Sequence, residues 1–82
     1  MSFGVSWDKE AIRNLNKFDV FVRKRIVNRI ELFAENGSFH EAKKIQGYDR
    51  VYRLRVGDYR VVFRVDGNFI VILNIGHRKN IY

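Results

Sequence analysis

From Val51 the pattern changes to period two, and three strand runs, Val51–Val56, Tyr59–Val65 and the mostly apolar Phe69–Ile75, follow one another with almost nothing between them. Period-two alternation belongs to a half-buried strand, and connections this short can join only antiparallel neighbours. The second half of the chain therefore reads as a three-stranded meander. Gly57-Asp58 puts glycine at the first central position of a two-residue turn, as type II′ requires. Asp66-Gly67 fits type I′, with a three-residue loop through Asn68 as the alternative. Ahead of the meander, Phe3, Val5 and Trp7 alternate as a short first strand. Asp8 is an N-cap candidate for a helix of about ten residues carrying Ala11, Ile12 and Leu15. Asp19 caps a second, whose buried stripe is Val22, Ile26, Ile30 and Phe33 and whose end is Asn36-Gly37. Ser38-Phe39-His40-Glu41 has capping-box spacing and predicts one more short helical turn. The expected fold is α+β: a small antiparallel sheet of the N-terminal strand and the meander, with two helices packed on one face. Its length fits one domain, residues 1–82.

Composition removes several chemistries. The chain has no cysteine, which excludes disulfides, a thiolate nucleophile and cysteine-containing metal sites. His40 and His77 are far apart and show no metal-ligand spacing, so neither a metal nor any other cofactor is expected. The longest apolar run, Phe69-Ile70-Val71-Ile72-Leu73, falls far short of the about 20 residues that span a bilayer. The first residues lack the basic segment and apolar stretch of a signal peptide. A cytoplasmic protein with no membrane partner is the expectation.

Charge points to the partner. Residues 1–42 hold seven Lys/Arg against six Asp/Glu, whereas residues 43–82 hold nine against three, so +6 of the formal +7 lies in the second half. A polyanion, either nucleic acid or an acidic protein, suits such a surface. The two-residue turn at Gly57-Asp58 pairs Val56 with Tyr59, Arg55 with Arg60, Leu54 with Val61 and Arg53 with Val62. Arg53, Arg55, Arg60 and Arg64 then share the face away from the helices. Arg55 and Arg60 become direct cross-strand neighbours, which is destabilising unless an anion lies between them. Guanidinium forks suit phosphate oxygens. Lys43, Lys44, Arg64 and Lys79 are further candidates for contact with such a polyanion, RNA included. Past the last strand come His77, able to titrate near neutral pH, then Arg78, and finally Tyr82, which can pack on the sheet or stack on a base.

Two motifs, Tyr52-Arg53-Leu54-Arg55-Val56-Gly57-Asp58-Tyr59-Arg60 and Gly76-His77-Arg78 followed by Tyr82, resemble the RelE branch of the RelE/ParE toxin superfamily. The likeness runs in order over nearly the whole chain. It implies the toxin of a type II toxin–antitoxin pair, a metal-independent endoribonuclease that cleaves mRNA in the ribosomal A site. Its implied partners are the ribosome with its mRNA and an acidic, RelB-like antitoxin. By the same resemblance Arg53 and Arg55 are the basic pair, Arg60 and Arg78 bind the scissile phosphate, and Tyr82 is the terminal tyrosine. Arginines keep their protons and so stabilise charge rather than shuttle protons. A tyrosine, with an ordinary pKa of about 10 that surrounding arginines lower, suits the general base. Tyr82 is expected in that role, with His77 or an arginine-held water protonating the leaving oxygen. Two other functions fit the same residues: a ParE-like inhibitor of DNA gyrase, and a non-catalytic nucleic-acid-binding module.

Overall fold

The computed structural model describes residues 2–79. Strand β1 (Gly4–Trp7) leads to helices α1 (Lys9–Asn16) and α2 (Val20–Asn36), then a 3₁₀ turn (Phe39–Glu41). Strands β2 (Ala42–Lys44), β3 (Val51–Val56), β4 (Tyr59–Asp66) and β5 (Phe69–His77) complete the order. Both helices start where an aspartate can satisfy otherwise unpaired N–H groups. The Asp8 carboxylate accepts from the Glu10 amide, and Asp19 Oδ1 accepts from those of Phe21 and Val22. Gly37, at φ 63°, ends α2 in a left-handed cap whose N–H donates to the Phe33 carbonyl.

The sheet runs β1-β5-β4-β3-β2. Ile26, Ile30 and Phe33 of α2 pack on Leu54, Val61, Phe63, Ile70, Ile72 and Ile75, all buried. Four aromatic rings close the end of this core near α2's C-terminus. Phe33 meets Phe39 and Phe63 at centroid distances of 5.3 Å, and Tyr52 stacks on Phe63 at 5.6 Å. Among the described residues, no helix covers the opposite face of the sheet.

The β3–β4 register is the one expected, pair by pair from Arg53↔Val62 to Val56↔Tyr59. Elsewhere the structure differs in four ways. β2 is an added edge strand, too short at three residues to show alternation, and it pairs antiparallel with β3. β1 joins β5 in parallel, so the sheet is mixed rather than wholly antiparallel. Asp66 stays in β4 and pairs with Phe69, so the second turn is Gly67-Asn68, not a type I′ turn at Asp66-Gly67. Gly67 there takes φ 58°. Finally, the Ser38 side chain makes no cap hydrogen bond: the Glu41 amide donates to the Ser38 carbonyl, and the Glu41 carboxylate is engaged by Arg29 of α2.

β5 also extends to His77 and contains a bulge: Val62 pairs with Asn74 but Phe63 with Ile72, leaving Leu73 as the extra residue. The bulge lets Ile72 and Ile75, three residues apart, both face the core.

The Arg29–Glu41 pair ties α2 to the start of β2. The hydrogen bond from Arg29 is the main cause holding the Glu41 carboxyl below its ordinary 4.5. A carboxyl depressed by folding contributes stability above its unfolded pKa and loses it as pH falls through the folded value. Glu41→Gln is expected to lower Tm near neutral pH, with the gap from wild type closing below about pH 4 in thermal melts across pH. Phe63, 1% exposed at the centre of the aromatic group, should cost about 3–5 kcal/mol when changed to Ala, read by urea denaturation.

Candidate functional site

Because β4 alternates inward Tyr59, Val61 and Phe63 with outward Arg60, Val62 and Arg64, the open face of the sheet is a lattice of cross-strand rows. One row runs Lys43, Arg53, Val62, Asn74; the next runs Arg55, Arg60, Gly76. Arg60 thus sits between a like charge and a residue with no side chain. The turn that sets this row needs glycine: Gly57 has φ 58°, and a Cβ there would meet Arg25 Nη2 at 2.9 Å.

Glu41, Lys43, Arg53, Arg55 and Arg60 line a pocket of about 190 Å³ on this face. Within it Arg60 Nε and Nη1 are shielded from solvent and have no hydrogen-bond partner among the described residues. Buried donors are almost always satisfied, so such an orphaned pair marks a place where an acceptor belongs. The guanidinium pKa is lowered, first by loss of contact with water and then by the charges of Arg53, Arg55 and Arg78. It still carries its proton at any physiological pH, so the consequence is a poorly compensated positive charge rather than a neutral base.

The other expected site residues divide. Arg78 lies beside the β3–β4 turn, its amide donating to the Asp58 carbonyl at 2.7 Å and its Nε 3.9 Å from Asp58 Oδ1. Lys43 joins the pocket opposite Arg53. Lys44 pairs with Tyr52 and borders the adjoining loop instead. Arg64 shares the face but pairs with Val51 and Val71, four residues along β4 from Arg60 and outside the pocket. Lys79 is exposed, and its amide donates to His77 Nδ1 at 3.3 Å.

His77 is on the other side of the sheet. It pairs with Tyr59 and meets that ring edge-on at 5.5 Å, while Tyr59 in turn meets Phe18 at 5.0 Å. Counting alternation back from Ile70 and Ile72 puts His77 among the arginines; the bulge at Leu73 reverses it. Tyr82 lies outside the described residues.

Glu41 is a site residue that the sequence reading left out. It ends the 3₁₀ turn just ahead of β2, and no local pattern marks it, because its place at the pocket depends on β2 pairing with β3 and on Arg29 of α2. Held by Arg29 with its pKa lowered, Glu41 stays ionised and is a weak proton acceptor. What the pocket can do is grip an anion through charge-assisted, partly bidentate hydrogen bonds and stabilise added negative charge.

Relieving the Arg55–Arg60 contact tests this. Arg55→Thr is expected to raise stability by about 0.5 kcal/mol in phosphate-free buffer. The rise in Tm that inorganic phosphate gives the wild type should shrink in the same variant.

A model of the family described as "ParE toxin of type II toxin-antitoxin system, parDE" matches residues 5–82. Toxin RelE3 of Methanocaldococcus jannaschii is 37% identical over 82 residues, covering 95% of this chain and 93% of that one. The toxin–antitoxin complex RelB-RelE from Methanococcus jannaschii contains a chain 35% identical, with TM-score 0.76 and 94% of each chain covered. The RelBE2 complex of Mycobacterium tuberculosis shares the fold at TM-score 0.81 and 24% identity, over 98% of this chain and 95% of that one.

Proposed function

The chain belongs to the RelE/ParE superfamily of type II toxin–antitoxin toxins, and from that premise we propose that it is a ribosome-dependent endoribonuclease. The observation that carries this reading is Arg60, a half-buried guanidinium with unpartnered donors in a pocket ringed by Arg53, Arg55 and Lys43. That pocket suits the scissile phosphate of an mRNA held in the A site. Such a substrate requires the protein to work in the cytoplasm, where its neutralising partner is an acidic, RelB-like antitoxin.

In the proposed reaction the ribose 2′-oxygen attacks the adjacent phosphorus and the bond to the 5′-oxygen of the next nucleotide breaks. The 2′-hydroxyl proton goes to Tyr82 as general base, and the leaving oxygen takes one from a water held by the arginines. His77, packed against Tyr59 on the helix-covered side, is poorly placed for that step, which favours the water over the imidazole. Arg53, Arg55, Arg60 and Arg78 stabilise the extra negative charge that develops at phosphorus. The basic Arg–x–Arg pair on β3 holds the phosphate from one strand while Arg60 approaches from the next.

A second reading has one observation behind it, the family description itself, which names ParE. A ParE-like chain inhibits DNA gyrase instead. Adding the protein to translating ribosomes and mapping new RNA 5′ ends separates the two. Cuts confined to the A-site codon are expected, and Arg60→Ala should reduce them by about 10²–10³-fold. Intact messages with loss of gyrase supercoiling would replace the nuclease by the gyrase reading. Unchanged cleavage by Tyr82→Phe would remove Tyr82 from the base role.

A further inference from the structure

The loop between β2 and β3 carries an aromatic side chain that the fold does not use. Tyr48 is 66% exposed, in a chain whose other tyrosines in β3 and β4 pack against phenylalanines. Leaving a large ring in water gives up the burial that makes aromatics useful to folding. The loop is nevertheless held in shape. Ile45 N donates to the Val51 carbonyl and Val65 N to the Arg50 carbonyl, both at 2.9 Å, closing its base. Gly47 at φ 88° and Arg50 at φ 59° make its sharp turns.

Beside Tyr48 is a pocket of about 450 Å³, lined also by Lys43, Lys44, Ile45, Gln46 and Arg53. Among the described residues it is lined by no carboxylate, whereas the pocket on the other part of the same loop includes Asp49. Lys43 and Arg53, which face each other across the β2–β3 pair, line both this pocket and the arginine pocket. The two therefore adjoin: an anion grip, and beside it a mostly apolar notch with one exposed ring and one amide.

We propose that this notch is a nucleobase subsite, in which Tyr48 stacks on the base of a nucleotide flanking the gripped phosphate. The inference rests on the phosphate-gripping role of Arg60 and its neighbours. Every base has a π-face, so a tyrosine platform accepts any of them. The Gln46 amide, with both donors and an acceptor, is the group in the notch able to read a base edge. Lys43, opposite Arg53, lines both pockets and can place its ammonium group near a phosphate while its aliphatic stem contributes apolar lining. Single-stranded RNA offers a phosphate and an unstacked base side by side, as adjoining pockets of these two kinds require. A closed loop pre-organises the platform, so little ordering cost falls on binding.

The test is an NMR titration with 2′-O-methyl dinucleotides, which cannot be cleaved, and with counterparts lacking one base or the other. For wild type, one base position should improve affinity about tenfold over the abasic counterpart and shift the Tyr48 ring protons. Tyr48→Ala should erase that gain and leave abasic affinity unchanged; Tyr48→Phe should keep it. Arg60→Ala should weaken all the probes alike. Arg60-dependent binding with no preference for a base, or a preference that survives in Tyr48→Ala, overturns the subsite and leaves the phosphate grip standing. Binding indifferent to Arg60→Ala overturns the grip and the subsite together. A base preference intact in Tyr48→Ala alongside weakened antitoxin binding would make the notch a protein-docking surface and also overturn the proposal.

Discussion

Burial of Leu54, Val61 and Phe63 against α2 fixes the register of the β3–β4 hairpin, and Arg53, Arg55 and Arg60 take their positions from that register. A slip of one residue would turn Arg53, Arg55 and Arg60 into the core and expose the apolar set. The hydrophobic effect thus aims the cationic groups without touching them. Gly57 adds the second constraint, because a two-residue turn with positive φ leaves no freedom in how β4 returns. Between them these two demands bring Arg55 and Arg60 into direct opposition.

That opposition sets function against stability. Arg60 would be more comfortable in water, and its guanidinium is instead shielded among three other positive charges. Proteins commonly hold such unfavourable arrangements at the place where a ligand of opposite charge arrives. The Arg29–Glu41 pair belongs to the same electrostatic plan. It brings one carboxylate to the rim of the pocket yet keeps it occupied, so the pocket interior stays positive. The backbone does the rest: Gly76 leaves the far side of Arg60 uncrowded.

The hairpin, both helix caps and the left-handed end of α2 were legible from the sequence because each depends on neighbours in the chain. Alternation and turn chemistry are local signals, and Arg55↔Arg60 follows from them by counting. What was not legible depends on distant partners. β2 has only Ala42, Lys43 and Lys44, and nothing in three residues distinguishes an edge strand from a loop until β3 is beside it. The bulge at Leu73 arises where Ile72 and Ile75 must both reach the core, a demand of packing that the continuous apolar run Phe69–Leu73 hides, since nothing in it marks the extra residue. The side on which His77 lies depends on that bulge. Glu41 escaped notice for a related reason, since its ionic partner is on a helix twelve residues earlier.

The parallel pairing of β1 with β5 joins Gly4 to Phe69, nearly the two ends of the described chain. Closing so long a loop is entropically expensive and is repaid only when the last strand is available. The arginine hairpin can form early from local contacts, but β1 cannot be seated until residues 69–72 exist to receive it. During synthesis the first strand must therefore wait, unpaired, until residues 69–72 have been made. Assembly of this sheet is a late event, and a nascent chain missing its final strand holds the cationic residues without the scaffold that aligns them.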